Sequence, residues 1–118
     1  MYVDGFLIPV ASHRLDEYKQ MAADAAIVWK EYGALDYVET VGDDMQIDGV
    51  DSFLNKAGCN ANEVVVFSWI SYRDKAHRDA VNEKVMADPR LQQMMDQKDP
   101  VFDCRRMAYG GFRLLVKA

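Results

Sequence analysis

Three charged residues in segments predicted to be strands could act together chemically: Asp4, Glu39 and Arg106. Each is expected to point from a strand towards a covered face of a sheet. If they met, burial would raise the pKa of one carboxyl group, and the arginine would keep the other ionised. Such a pair can move a proton. The alternative is a structural ion pair that fixes strand register or a subunit contact.

A second group of residues could line a cavity for a flat apolar molecule. Gly5 and the pair Gly110-Gly111 fall on strands predicted to be antiparallel neighbours. Their missing side chains could leave a gap in the sheet face. Glycine here could instead mark a bulge or let a partner's sheet approach. The predicted ligand-binding residues are Phe6, Trp69, Tyr109, Gly110 and Phe112.

Patterns typical of metal and nucleotide sites are missing. His13 and His77 each stand in the first turn of a predicted helix, without Cys, His or carboxylate partners at ligand spacing. Residues 44–49 resemble the start of a calcium loop, but Asn55 stands where the bidentate glutamate is needed. The chain contains no Walker loop, no Gly-x-Gly-x-x-Gly and no Gly-x-Ser-x-Gly. We therefore expect neither a metal nor a cofactor.

Composition and charge exclude several classes of protein. Of 118 residues, 50% are apolar and 28% charged, as in ordinary globular proteins. The net charge of −5 argues against a general nucleic-acid binder, and the densest basic pair is Arg105-Arg106. No apolar run approaches the ~20 residues of a membrane span, and no signal peptide is recognisable. These features predict a cytoplasmic protein in which Cys59 and Cys104 are reduced thiols.

The elements that must position these residues alternate between strands and helices. The run 63–72 is apolar on both faces and predicts a buried strand. The segment 42–62 is predicted to be a long loop with a short helix at 52–56. Other strands are predicted at 2–11, 34–41 and 105–117, and helices at 13–32, 74–87 and from Pro89, with Ser12, Asp74 and Asp88 as N-caps.

The face of the helix at 74–87 follows from its apolar spacing. Ala80, Val81 and Val85 are predicted to face the core. The charged residues are predicted to point outward: Arg78, Asp79, Glu83 and Lys84.

The element order β-α-β-β-α-β predicts an α+β, ferredoxin-like fold for a single domain at 1–118. Its four-stranded antiparallel sheet would have the first and third strands at the centre and helices on one face. Because the central strands are apolar on both faces, the second face needs a cover that a chain of this size can hardly supply. We therefore expect a homodimer formed through the sheet face.

Five short segments together resemble the YbaA-like family of small bacterial proteins of unknown function. They are Tyr2-Val3-Asp4-Gly5-Phe6, Gly42-Asp43-Asp44, Val66-Phe67-Ser68-Trp69-Ile70, Val85-Met86-Ala87-Asp88-Pro89-Arg90 and Arg106-Met107-Ala108-Tyr109-Gly110-Gly111-Phe112. The resemblance implies a dimeric α+β barrel, in which two sheets pack together. Cys104 departs from the family pattern, which has glycine before the basic pair.

The resemblance places the family in the dimeric α+β barrel superfamily. That superfamily includes antibiotic-biosynthesis-type monooxygenases, haem-handling enzymes and stress-response proteins, so the resemblance implies a fold and leaves the activity open. Our leading hypothesis is a homodimer that binds a small apolar or aromatic molecule. One alternative is a cofactor-independent monooxygenase or isomerase acting on an aromatic, enolisable substrate. Another is a structural or stress-related interaction protein.

Overall fold

The computed structural model describes residues 1–118 as a four-stranded antiparallel sheet with three helices packed on one face and a fourth, short helix at the other. Its dimensions of 42 × 39 × 20 Å fit one sheet layer and one helix layer. The strands are β1 (Tyr2–Ala11), β2 (Asp36–Val41), β3 (Glu63–Tyr72) and β4 (Ala108–Arg113). The helices are α1 (Leu15–Glu31), α2 (Phe53–Lys56), α3 (Lys75–Ala87) and α4 (Pro89–Met95), with 3₁₀ turns at Ser12–Arg14 and Cys104–Arg106.

The strand order is β2-β3-β1-β4, with every neighbouring pair antiparallel. The two central strands have ten residues each, and the two edge strands have six. This arrangement confirms the predicted β-α-β-β-α-β order and the central position of the first and third strands.

Most helix ends follow local sequence signals. The carboxylate of Asp74 accepts a hydrogen bond from the His77 N–H and begins α3, and Asp88 caps α4 ahead of Pro89. Gly33, at φ +109°, follows the end of α1. The cap predicted at Ser12 was wrong, because the chain enters α1 through a 3₁₀ turn without a side-chain cap. No helix combines the length and apolarity needed to cross a bilayer.

Even-numbered side chains of β1 and β3 point towards the helices and form the core. Ile8, Val10 and Val66 pack with α1, while Ile70 and Tyr72 pack with α3 and α4. Because alternate residues of a strand point to opposite faces, Asp4 and Phe6 also lie on this helix side.

Odd-numbered side chains of β1 and β3 form the other face of the sheet, which we call the open face. Phe67 is 48% exposed and Phe112 61% exposed on it. One end of this face is covered by the segment after β2, where Gly42 and Met45 lie against the buried Val65. The Phe53 ring of α2 also lies 6.1 Å from the Phe67 ring on this face, whereas Phe112 stays open to solvent.

Two sequence predictions about the C-terminal half need correction. The last strand is shorter than predicted, because Arg105 and Arg106 belong to a 3₁₀ turn and residues 114–118 lie beyond the strand. In α3, the Arg78 side chain is only 15% exposed and turns inward, whereas Ala80 is exposed. A long aliphatic stem allows arginine to occupy such a position while its charge finds polar partners.

Candidate functional site

The structure does not bring Asp4, Glu39 and Arg106 together. Arg106 leaves the sheet and makes two hydrogen bonds of 2.7 Å to Glu63 and one of 2.8 Å to the Gly58 carbonyl. The prediction that Arg106 points from a strand was wrong, because its 3₁₀ turn directs it towards the start of β3.

Asp4 and Glu39 share the helix side of the sheet but lie on different rows. Asp4 is opposite Ile70, whereas Glu39 is opposite Ser68, and β3 stands between them. Two strand spacings correspond to about 10 Å, so the carboxylates cannot share a proton directly. Each has its own set of partners.

Asp4 is the centre of a polar cluster between β1 and α3. The residue is 1% exposed. Its Oδ2 accepts a 3.4 Å hydrogen bond from the Asn82 amide, and its Oδ1 lies 3.4 Å from Nη1 of Arg78. The second contact lacks hydrogen-bond geometry, so Oδ1 is buried without a hydrogen-bond donor. A buried, unpartnered carboxylate oxygen is costly and calls for an explanation.

Arg78 gives its hydrogen bonds to two tyrosines rather than to Asp4. Its Nη1 donates to the Tyr109 hydroxyl at 2.9 Å and its Nη2 to the Tyr2 hydroxyl at 3.0 Å. The guanidinium carbon also lies 4.9 Å from the centre of the Tyr2 ring, a cation–π contact. Its Nε is 3.1 Å from Asp79 without hydrogen-bond geometry. Arg78 is therefore held in place mainly by aromatic residues.

The orientation of the Asn82 amide is fixed by two other residues, so that its NH₂ group points towards Asp4. Its Oδ1 accepts hydrogen bonds from the Trp29 indole and the Tyr72 hydroxyl, each at 3.2 Å. With the oxygen occupied by these two donors, the amide NH₂ must face Asp4. Trp29 and Tyr72 thus position the Asn82 amide as a donor for the carboxylate.

The electrostatics of this cluster favour proton uptake by Asp4. Burial raises the pKa of Asp4 above its ordinary value. The positive charge of Arg78 and hydrogen bonding from the Asn82, Tyr109 and Tyr72 side chains oppose this rise only in part. Burial also raises the pKa of Tyr109, as does the charge of Asp4. A carboxylate with a raised pKa and a free oxygen can act as a general base, and the adjacent guanidinium can stabilise a developing oxyanion.

Glu39 has a different environment in which both oxygens are satisfied. Tyr18 donates to it at 2.8 Å and Tyr37 at 3.1 Å. Burial raises the pKa of Glu39, and both hydroxyls oppose that rise. Because no oxygen is left free, this group has the form of a structural contact between α1 and the edge strand β2.

The predicted ligand-binding residues are divided between the two faces of the sheet. The rings of Phe6 and Tyr109 lie 5.0 Å apart on the helix side, next to the Asp4 cluster. Trp69 and Phe112 lie on the open face, opposite Gly5 and Val3 respectively. These four side chains therefore do not enclose one pocket, because Phe6 and Tyr109 are paired on one face, whereas Trp69 and Phe112 occupy positions that point to the other.

The glycines of β1 and β4 accommodate aromatic rings. Gly5 and Gly110 are directly paired. A Cβ on Gly5 would lie 3.0 Å from the Phe112 ring, whereas one on Gly110 would meet nothing within 4 Å. A Cβ on Gly111 would collide with Tyr2, lying 2.8 Å from its Cε1 and closer still to its hydroxyl. Gly111 thus lets Tyr2 reach Arg78.

Sequence reasoning missed Arg78 and Asn82. Both occur on α3 at a spacing of four, beside the core residues Val81 and Val85. A polar pair at core spacing was the available signal, although charge alone had suggested an outward position. No three His, Cys, Asp or Glu side chains come together as a metal-ligand set.

The fold defines an α+β protein with a four-stranded antiparallel sheet, and solved structures share it. An uncharacterized NIPSNAP domain protein from Burkholderia xenovorans matches with a TM-score of 0.51 and 18% identity, over 100% of this chain and 95% of that one. Protein Atu4242 from Agrobacterium tumefaciens matches with a TM-score of 0.57 and 14% identity, over 96% and 92%. At these identities the likeness concerns the fold alone.

The chain belongs to DUF1428, a family of proteins of unknown function, which matches residues 1–104. The uncharacterized protein YbaA of Escherichia coli strain K12 is 44% identical over 115 residues, covering 98% of this chain and 97% of YbaA. These matches confirm the resemblance to the YbaA-like family.

Proposed function

We propose that this protein is a homodimer that binds a small aromatic molecule on the helix side of its sheet, beside Asp4, Arg78 and Tyr109. The observation that carries the proposal is the buried Oδ1 of Asp4, which has no hydrogen-bond donor. A ligand hydroxyl or amine would supply the missing donor.

The surroundings of Asp4 suit an aromatic ligand. Phe6, Tyr2 and Tyr109 provide ring surfaces near the carboxylate. Tyr109 is 48% exposed and stands on the edge strand β4, so movement of its ring would open the cluster to solvent. Aromatic walls with few convergent polar groups are typical of small-molecule sites.

The open face supports the homodimer. It exposes Phe67 and Phe112, and an apolar groove of 410 Å³ runs along it, lined in part by Leu7, Met45 and Phe53. Apolar surface of this kind is usually covered by another protein surface. A second copy packing sheet against sheet would cover it and would produce the α+β barrel that the family resemblance implies.

A second candidate is proton-transfer catalysis of the isomerase type. The raised pKa of Asp4 favours it. Asp4 would take a proton from a carbon next to a substrate carbonyl, and Arg78 would stabilise the enolate oxygen. With a β,γ-unsaturated ketone the enolate is a dienolate, and the same proton would return to its γ carbon. The double bond would then move into conjugation with the carbonyl, so no oxidant or cofactor is required.

Native mass spectrometry of freshly purified protein tests the binding proposal, with D4N as the variant and D24N, an exposed carboxylate on α1, as the control. We expect a dimer carrying a small co-purified mass that D4N loses and D24N retains. A monomer would contradict the homodimer. Equal occupancy in D4N and D24N would contradict the site.

Proton transfer is tested by NMR detection of deuterium incorporation from D₂O into a panel of aromatic ketones. Wild-type exchange that D4N abolishes and D24N retains would support catalysis. Binding without exchange in any variant would leave a binder, and neither binding nor exchange would favour the structural role.

A further inference from the structure

A second concave surface lies beside the Asp4 cluster, at the end of the sheet where β1 begins. The groove has a volume of 490 Å³. Tyr2 and Gly111 form part of its lining, so the Tyr2 ring stands between this groove and Arg78. The other lining residues are Met1, Arg73, Asp74, Lys75 and Arg113.

The arginines of this groove differ from all other arginines in the chain. The protein has seven arginines. Arg73 and Arg113 are the two that have no carboxylate within ion-pair distance, and Lys75 in the same groove also has none. The five paired arginines are Arg14, Arg78, Arg90, Arg105 and Arg106.

Strand register places the two unpaired arginines at the same end of the sheet, on either side of β1. Tyr2 is opposite Arg113 on β4 and opposite Tyr72 on β3, and Arg73 directly follows Tyr72. The carboxylate in the groove, Asp74, already accepts a hydrogen bond from the His77 N–H at 2.8 Å. It caps α3 and so is not positioned to pair with the arginines.

We propose that this groove, formed by Arg73, Lys75 and Arg113, binds the phosphate group of a small molecule. Three cations and one carboxylate leave two net positive charges there, in a protein whose net charge is −5. A phosphate monoester carries about −1.5 to −2 at neutral pH, which matches that charge. Guanidinium groups bind phosphate oxygens in a bidentate manner, and an anion bound in the groove would relieve repulsion among the cations that line it.

This proposal does not rest on ligand binding at Asp4. The two unpaired arginines and the groove carry it, and Asp74, which accepts a hydrogen bond as the helix cap, has no part in binding the phosphate. The groove and the Asp4 cluster nevertheless share Tyr2, so the backbone amides of Tyr2 and Gly111 should report on occupancy of the groove.

Titration calorimetry and ¹H–¹⁵N spectra at constant ionic strength test the proposal, with inorganic phosphate, phenyl phosphate and benzoate as probes. R73Q/R113Q is the test variant. The control, K19Q/K84Q, removes the same charge from two exposed lysines that also lack ion-pair partners. We expect phenyl phosphate to shift Tyr2 and Gly111, and the test variant to weaken its binding about tenfold or more, because charged hydrogen bonds are lost.

Equal affinity in R73Q/R113Q and K19Q/K84Q would overturn the proposal, as would benzoate binding as tightly as phenyl phosphate. Absence of any shift with all three probes in the wild-type protein would also overturn it. Sedimentation with vesicles containing phosphatidic acid distinguishes a lipid headgroup from a soluble phosphate. Binding to the vesicles but not to phenyl phosphate would overturn the proposal of a small soluble ligand. Binding to phenyl phosphate would support it. An RNA oligonucleotide bound without any response to the small phosphates would count against the proposal.

Discussion

Arg78 approaches Asp4 to 3.4 Å yet makes its hydrogen bonds to other residues. The two residues come from β1 and α3, and they meet because both occupy core-facing positions. Arg78 supplies charge to Asp4, whereas its donors hold Tyr2 and Tyr109. The result is a carboxylate that is electrostatically paired but has one oxygen free, which distinguishes it from the fully satisfied Glu39.

The first prediction concerns the pH dependence of stability at Asp4. Its pKa is raised from 3.8 in the folded state, so the folded protein binds a proton more readily than the unfolded chain. The contribution of Asp4 to stability therefore increases as pH falls through the folded pKa towards 3.8, and decreases as pH rises. As the pH is lowered over that interval, we expect the free energy of unfolding of wild type to increase relative to that of D4N. Urea unfolding at a series of pH values measures this difference.

Comparison with D4N isolates this effect from the other carboxylates, because they are common to both proteins. D24N, which removes an exposed carboxylate from α1, is the control for the loss of one charge. A wild-type stability that fell relative to D4N on acidification would mean that Asp4 is held ionised by Arg78, contrary to the structure.

The second prediction concerns Glu63 and Arg106, and its sign is opposite. The Arg106 hydrogen bonds lower the pKa of Glu63 from 4.5 to about 2, helped by the Asn60 N–H. Stability from this pair is present above pH 4.5 and is lost as pH falls towards 2. Because Arg106 is 39% exposed, solvent screening reduces the effect, and we expect E63Q to cost about 1–2 kcal/mol at neutral pH.

Unfolding curves at pH 7 and at acidic pH measure this, with E17Q as the control. Glu17 pairs with Arg14 but is 62% exposed, so E17Q should change stability little. Similar losses in E63Q and E17Q would show that the Arg106 contact has no special role.

The third prediction compares the adjacent glycines of β4. G111A should displace Tyr2 and cost about 1–3 kcal/mol, because overpacking forces rearrangement. G110A should be tolerated within the chain, since a Cβ there meets no atom within 4 Å. Thermal unfolding gives both values, and near-ultraviolet circular dichroism should show a tyrosine change in G111A alone. A larger loss in G110A than in G111A would contradict the packing described here.

The fourth prediction concerns association through the open face. F112D places a charge at a position that is 61% exposed in the chain and that a partner would bury. We expect it to shift a dimer to monomer in sedimentation equilibrium, because an unpaired buried charge is strongly unfavourable. I27D is the matched control, since Ile27 is 55% exposed on α1. Dissociation by I27D but not by F112D would place the interface on the helices.

The sequence predicted the fold well because its signals are local. Asp74, Asp88 and Gly33 act within one helical turn, and the apolar character of both faces of β1 and β3 indicates their central position. Such features need no knowledge of distant residues. The short last strand was overestimated because apolar residues continue past Arg113 without forming a ladder.

The candidate site was predicted in part. Asp4 was identified, since an acidic residue in an apolar strand is informative without further context. Its partner was not, because the choice between Arg78 and Arg106 depends on how α3 packs over the sheet and on where β4 starts. The prediction that Trp69 and Tyr109 line one cavity was wrong, because it did not take into account that their side chains point to opposite faces of the sheet.

The unequal strand lengths have a consequence for how copies of this protein can meet. Edge strands present unpaired backbone N–H and C=O groups, which can recruit strands of other molecules into continuous aggregates. Here the edges β2 and β4 have six residues each against ten in the interior strands, so little backbone is offered at either side. Short edges therefore disfavour side-by-side polymerisation, so any contact between copies is favoured at the exposed apolar side chains of the open face.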